Sequence, residues 1–153
     1  MKIIEYFSCD NKELWLKQIE ECDWDAGKYL AYLLKTDSLS ELVGKGSRVL
    51  MLTEGEELIS FCTLAPLDDV QPTDLTPWMG WIYTFPSHRG KRCAGRLFEY
   101  AEEIAKSEGA EALHISTNHI DLYEKYGYEF YKNAKDVEGE DTRVYIKRLT
   151  KEK

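Results

Sequence analysis

The sequence predicts a single α/β domain built around a mixed β-sheet. Short apolar runs of strand length, bounded by glycine, proline and aspartate, recur along the chain. Stretches with apolar residues three and four apart fall between them and read as helices. The two kinds are interleaved, which implies a sheet with helices packed on it. At 153 residues one domain is the simplest division. A chain of this size buries roughly 70% of its unfolded surface, so it needs neither a disulfide nor a metal to hold a core.

The elements follow in order. Lys2 to Phe7 is a short strand. Asp10 opens a helix with Glu13 three residues on, the spacing of a capping box, and Trp15, Ile19 and Cys22 form its apolar stripe. A second helix spans Ala26 to Leu34, Ser38 to Leu42 extends or follows it, and Gly44 and Gly46 close the helical section. Ser47 to Thr53 is a strand, Glu54-Gly55 a turn, and Glu57 to Ala65 its antiparallel partner. Pro66 to Pro77 is a loop carrying Asp68, Asp69 and Asp74. Trp78 to Phe85 is a buried strand, ended by Pro86, which has no N–H to give a ladder. Leu97, Ala101, Ile104 and Ala105 mark a helix that stops at Gly109. Ala112 to Thr117 is a strand. Asn118 caps a short helix, Ile120 to Tyr126, which Gly127 ends. Tyr128 to Tyr131 and Thr142 to Leu149 are the last strands, separated by an acidic loop.

Composition narrows the function. The net charge of −8, from 20 basic and 28 acidic residues, argues against a nucleic-acid binder, which needs a basic face. It suits a cationic partner. No run of about 18 apolar residues offers a membrane span, and Met1-Lys2-Ile3-Ile4-Glu5 lacks the core of a signal peptide, so the expected location is the cytoplasm. Cys9, Cys22, Cys62 and Cys93 have no metal-finger spacing. Cys22 and Cys62 read as core residues. Cys93 stands at a cationic helix start, where a thiol can be activated, but packing under the turn is the favoured reading.

One segment concentrates positive charge. Thr84-Phe85-Pro86-Ser87-His88-Arg89-Gly90-Lys91-Arg92-Cys93-Ala94-Gly95-Arg96-Leu97 reads as strand, basic glycine-containing turn, helix start. Free N–H groups and the positive end of the helix dipole make such a start an anion site. Arg89, Lys91, Arg92 and Arg96 add side-chain cations, so a phosphate-bearing ligand is implied. Neither a Walker loop nor a Gly-x-Gly-x-x-Gly fingerprint is present.

Two motifs carry a resemblance. Thr84-x-Pro86-x-x-Arg89-Gly90-Lys91-Arg92-Cys93-Ala94 is similar to the central motif of the GCN5-related N-acetyltransferase (GNAT) superfamily, with Arg92 where that family usually has glycine and Thr84 where it has valine. Asn118 through Leu122-Tyr123-Glu124-Lys125-Tyr126-Gly127-Tyr128 resembles the family's second signature, with Tyr128 in place of phenylalanine. The resemblance implies a GNAT-like mixed sheet flanked by helices, acetyl-coenzyme A as co-substrate and no metal. It implies that the backbone of Ile82, Tyr83 and Thr84 holds the pantetheine and that Arg89, Gly90, Lys91, Arg92, Cys93, Ala94 and Gly95 hold the pyrophosphate. Asn118 would contact the cofactor arm. Tyr123 falls on the tyrosine near the thioester sulfur and would act as general acid, its ordinary pKa of roughly 10 lying close to that of a thiol.

An amine acceptor must lose a proton, and no acid stands on Trp78 to Phe85 to take it. His119, Asp68 and Asp69 are the candidate bases, while His114 reads as packed and His88 as solvent-facing beside the phosphates. Trp24 and Asp25, then Asp68, Asp69 and Asp74, then Asp136, Glu138, Glu140 and Asp141 fall in segments that wall the acceptor cleft in this family. An aromatic beside carboxylates suits an ammonium group, so a cationic amine is the expected acceptor. A homodimer is left open. The alternatives are a non-catalytic acyl-coenzyme A binding module and an unrelated α/β interaction domain.

Overall fold

The computed structural model describes residues 1–149. Among the described residues seven strands and four α-helices follow one another along the chain, and no helix is long and apolar enough to cross a membrane. The strands are β1 (Lys2–Glu5), β2 (Arg48–Glu54), β3 (Glu57–Ala65), β4 (Trp78–Thr84), β5 (Ala112–Thr117), β6 (Glu129–Lys135) and β7 (Asp141–Arg148). They form one sheet in the order β1-β2-β3-β4-β5-β7-β6. Only β4 and β5 run parallel, because α4 (Cys93–Ser107) carries the chain across between them. α1 (Lys12–Glu20), α2 (Asp25–Lys35) and α3 (Leu39–Val43) fill the connection from β1 to β2.

The sheet is covered on both faces, which is why β2 and β3 read as nearly continuous apolar runs. Alternation of side chains sorts them between two cores. Leu50 and Leu52 face one core with Leu97, Phe98 and Ala101 of α4. Val49 and Met51 face the other with Trp15, Ile19, Leu30 and Leu34 of α1 and α2. α4 forms because Leu97, Phe98, Ala101 and Ala105 recur on one buried face. It ends at Glu108, where Gly109 follows with φ +89°.

Several local expectations are corrected. The capping box of Asp10 and Glu13 does not form. Asn11 precedes α1 without a capping side-chain bond, since its Oδ1 accepts from Trp15 Nε1 at 3.2 Å. β1 stops at Glu5 and Tyr6–Ser8 make a 3-10 turn. The helix expected from Ile120 shrinks to a 3-10 turn, Tyr123–Tyr126. Asn118 therefore caps nothing, and its amide donates to the Asp141 carbonyl at 3.2 Å. β6 runs to Lys135, four residues past Tyr131, because pairing with β7 outweighs its polar, exposed sequence.

Candidate active site

The site begins where two parallel strands part. β4 and β5 pair only at Trp78↔His114 and Met79↔Ile115. β5 continues to Thr117 against β7, and β4 continues to Thr84 against β3. Beyond Met79 the edge of β4 that faces β5 has no strand partner. A bulge helps force the parting. β3 pairs Thr63 with Gly80 but Phe61 with Tyr83, so β4 carries one extra residue. Trp81, within the bulge, takes φ +47°. A tryptophan in that region costs about 1–3 kcal/mol and persists only where its surroundings hold it. Here its Nε1 donates to the Ala26 carbonyl of α2 at 2.6 Å.

The parted strands open a cleft of about 640 Å³. Its floor is β4, from Met79 to Ile82, and β5, from Ile115 to Thr117. Trp24, Tyr29 and Trp81 form an aromatic wall, with Trp24 stacked on Tyr83 at 5.5 Å. Asp68 and Asp69 enter from the loop between β3 and β4, and Asp136 and Glu138 from the turn between β6 and β7. Four carboxyl groups thus line the cleft, and no lysine or arginine among the described residues does.

Burial and the neighbouring Asp69 push the Asp68 carboxyl up to about 7. Asp69 is also raised, chiefly by burial, with the Ser116 hydroxyl acting in the opposite direction. Its Oδ1 is buried and has no hydrogen-bond partner, while Ser116 Oγ pairs at 2.8 Å with Thr142 Oγ1.

Tyr123 also lines the cleft. Its ring packs edge-on against Phe98 at 5.8 Å, and burial pushes its hydroxyl up to about 12, with Cys62 and Tyr126 adding to the effect. It therefore keeps its proton at neutral pH. The short turn is held by bonds outside it: Tyr128 N–H donates to the Tyr123 carbonyl at 3.2 Å, and Lys147 Nζ donates to the Tyr126 carbonyl at 3.0 Å and to Glu102 at 3.1 Å.

The basic loop lies past the open end of β4. Gly90 takes φ +81°, which a side chain would strain. Arg92 takes φ +58° and ψ 30°, so it adopts the left-handed conformation that favours glycine, the residue the family usually has there. Its guanidinium stacks 4.8 Å from the Tyr126 ring. A Cβ on Gly95 would sit 3.1 Å from Tyr126, so glycine lets the start of α4 approach that turn. Lys91 is exposed and Ala94 packs on the α4 core. Cys93 is buried, with Sγ 3.7 Å from the His88 carbonyl, so it packs under the turn.

Other expected site residues have different surroundings. Ile82 and Asn118 line the cleft, whereas Tyr83 and Thr84 do not. The Tyr83 ring enters the α1–α2 core and its hydroxyl donates to Asp23, while its carbonyl accepts from Ser60 Oγ at 2.6 Å. The Thr84 carbonyl accepts from Arg89 Nε at 2.8 Å. Asp25, Asp74, Glu140 and Asp141 lie outside the cleft, and Asp141 pairs with Lys135. His114 is buried against Trp78, and burial pulls its pKa down. His119 is exposed on the rim and starts no helix. His88 pairs with Glu57 at 3.0 Å instead of facing solvent alone. Gly80, Trp81, Tyr29 and Gln71 were missed. A glycine inside a strand signals a bulge or a close approach, so Gly80 was the one with a readable sign.

A family profile described as acetyltransferase (GNAT) family matches residues 4–128. The chain belongs to this family. Comparison with curated proteins gives no match. Among solved structures, aminoglycoside 6'-acetyltransferase type Ii is 18% identical, with TM-score 0.71 and full coverage of both chains. An aminoglycoside 6'-N-acetyltransferase from Enterococcus faecium is 15% identical, with TM-score 0.71 and coverage of 100% of this chain and 99% of that one. An aminoglycoside 6'-N-acetyltransferase complexed with coenzyme A is 14% identical, with TM-score 0.70 and the same coverage. At these identities the likeness is one of fold. The single mixed sheet with flanking helices is thus the GNAT architecture, and the parted β4 and β5 of this GNAT acetyltransferase frame its cleft.

Proposed function

We propose that the protein transfers the acetyl group of acetyl-coenzyme A to the amine of a cationic small molecule or peptide. The observation that carries this reading is the cleft itself: four carboxyl groups and the rings of Trp24, Tyr29, Trp81 and Tyr123, with no lysine or arginine among its described lining residues. An ammonium group entering such a space meets charge of opposite sign and aromatic faces. The aminoglycosides in the names of the structural neighbours are cations of this kind.

The donor's phosphates are assigned to the loop Arg89–Gly95, where Arg89, Lys91 and Arg92 precede α4 in the chain. The unpartnered edge of β4 past Met79 offers backbone groups to an extended pantetheine arm, as a strand would. Asn118 lies at the cleft's β5 side, within the same space. A backbone N–H on that edge would steady the oxyanion of the tetrahedral intermediate. Tyr123 lines the same cleft and is assigned to give its proton to the leaving thiolate, although burial makes it a weaker acid than an unburied phenol, further from a thiol's range.

The test combines binding with turnover. Acetyl-coenzyme A, binding the native state alone, raises the melting temperature. Free thiol is then followed with a diaminoalkane, an aminoglycoside and a lysine peptide against aniline, at low and high salt. Thiol release favouring the cations, weakening as salt rises, is the expected result. Binding without thiol release would make the protein an acyl-coenzyme A sensor, and no binding would end the reading.

A further inference from the structure

We propose that Asp68 is the base that takes the proton from the acceptor ammonium, and that Gly80 is glycine to let the Asp68 carboxyl reach the point where β4 and β5 part. This rests on the acetyl-transfer reading above. Gly80 follows Met79, the last β4 residue paired with β5. A Cβ built on Gly80 would stand 1.9 Å from Asp68 Oδ1, 2.7 Å from Cγ and 3.1 Å from Oδ2. The carboxyl group therefore occupies the place of a side chain on β4, although it arrives from a loop. That recovers an acid on the strand edge where the strand's own sequence has none.

The loop is tied down so that the carboxyl stays there. Gln71 Nε2 donates to the Asp68 carbonyl at 2.8 Å and to the Leu42 carbonyl at 3.1 Å. Leu67 N–H donates to the Val43 carbonyl at 2.9 Å, and Thr76 Oγ1 to the Pro66 carbonyl at 2.7 Å.

The groups sharing the cleft with Asp68 distinguish it from its rivals. Asp69 is its neighbour on the loop, Asp136 and Glu138 face in from the β6–β7 turn, and His119 and Tyr123 come from the segment after β5. None is a permanent cation. With burial and a like charge both disfavouring ionisation, the Asp68 carboxyl reaches about 7, far nearer an amine than an ordinary carboxylate is. Asp69 is raised by burial and by Asp136 and Glu138 as well, so position separates the two: the three atoms nearest a Cβ on Gly80 all belong to Asp68. His119 sits exposed on the rim.

The step balances. Asp68 removes one proton from the ammonium, and the freed lone pair attacks the thioester carbonyl carbon. The C–N bond forms as the carbonyl pair moves to oxygen. That pair returns, the C–S bond breaks, and the thiolate takes the Tyr123 proton. The amide nitrogen gives its surplus proton back to Tyr123, and Asp68 releases its own to water.

Asp68→Asn is tested with the diaminoalkane, and acetyl-coenzyme A binding is measured beside it as proof of folding. At pH 7 kcat/KM should fall about 100-fold or more. The defect should shrink towards pH 10, where alkyl amines shed their proton unaided. Gly80→Ala, which must displace the carboxyl, should share the defect and its pH dependence. A defect that is the same at every pH, or full activity in Asp68→Asn, overturns the assignment, as does an equal pH-dependent loss in Asp69→Asn or His119→Gln. A wild type that binds acetyl-coenzyme A but acetylates none of the amines overturns the acetyl-transfer reading, and this inference with it.

Discussion

Asp68→Asn also makes a prediction about stability that needs no substrate. The folded Asp68 carboxyl reaches about 7, against an ordinary 3.8. At about 1.36 kcal/mol per pH unit, that gap is worth about 4 kcal/mol. A raised acid binds its proton more tightly in the folded state than in the unfolded one. The contribution is therefore fully present below pH 4 and is lost as pH rises towards 7. Water in the open cleft screens part of the charge, so about 2 kcal/mol is the expected size. Asparagine keeps the shape and cannot ionise, so it escapes the loss. Denaturant unfolding of both forms at pH 4.5 and pH 8 gives the difference directly, and the raised Asp69, present in both, largely cancels. The variant's advantage over the wild type should grow by about 2 kcal/mol between the two values. An advantage that stays constant across this range would show that Asp68 is not held in a place hostile to its charge.

Two further outcomes are expected. Tyr123→Phe keeps the ring packed on Phe98 and removes only the hydroxyl. The turnover number should fall by about 100- to 10,000-fold with acetyl-coenzyme A affinity nearly unchanged, and unchanged turnover with chemistry rate-limiting would remove its role as acid. Arg92→Gly and Arg92→Ala both lose the contact with Tyr126, but only glycine accepts φ +58° without strain. After allowing for glycine's greater unfolded freedom, Arg92→Gly should be the more stable by about 1 kcal/mol in urea. Equal stability would mean that the left-handed turn has relaxed.

Local chemistry made much of this protein readable in advance. Strands announce themselves in runs such as Val49–Leu52 because a sheet covered on both faces must be apolar on both. α4 is legible because buried positions such as Leu97, Ala101 and Ala105 repeat at helical spacing. The two motifs needed no coordinates to point to the family, since they lie within single stretches of chain. The failures were equally physical. The Ile120–Tyr126 helix was inferred from a capping residue, but the Asn118 amide goes instead to Asp141, 23 positions away. β6 looked short because its outer half is polar, and its length is set by a partner strand.

The site divides along the same line. Sequence by itself determined the residue types and their segments: a tyrosine on the short turn, a basic loop before α4, and acids in the loops that wall the cleft. It could not say which acids face inward. Of those considered, Asp68, Asp69, Asp136 and Glu138 line the cleft, and Asp25, Asp74, Glu140 and Asp141 do not. Nor could it show that Arg92 takes a glycine's conformation, because backbone strain is accepted only where the surrounding packing holds it. Tertiary structure alone set Asp68 against Gly80, 12 positions later in the chain. Neither residue carries a motif. The position matters because β4 and β5 part there, and that parting depends on pairings and a bulge made by strands far apart in sequence.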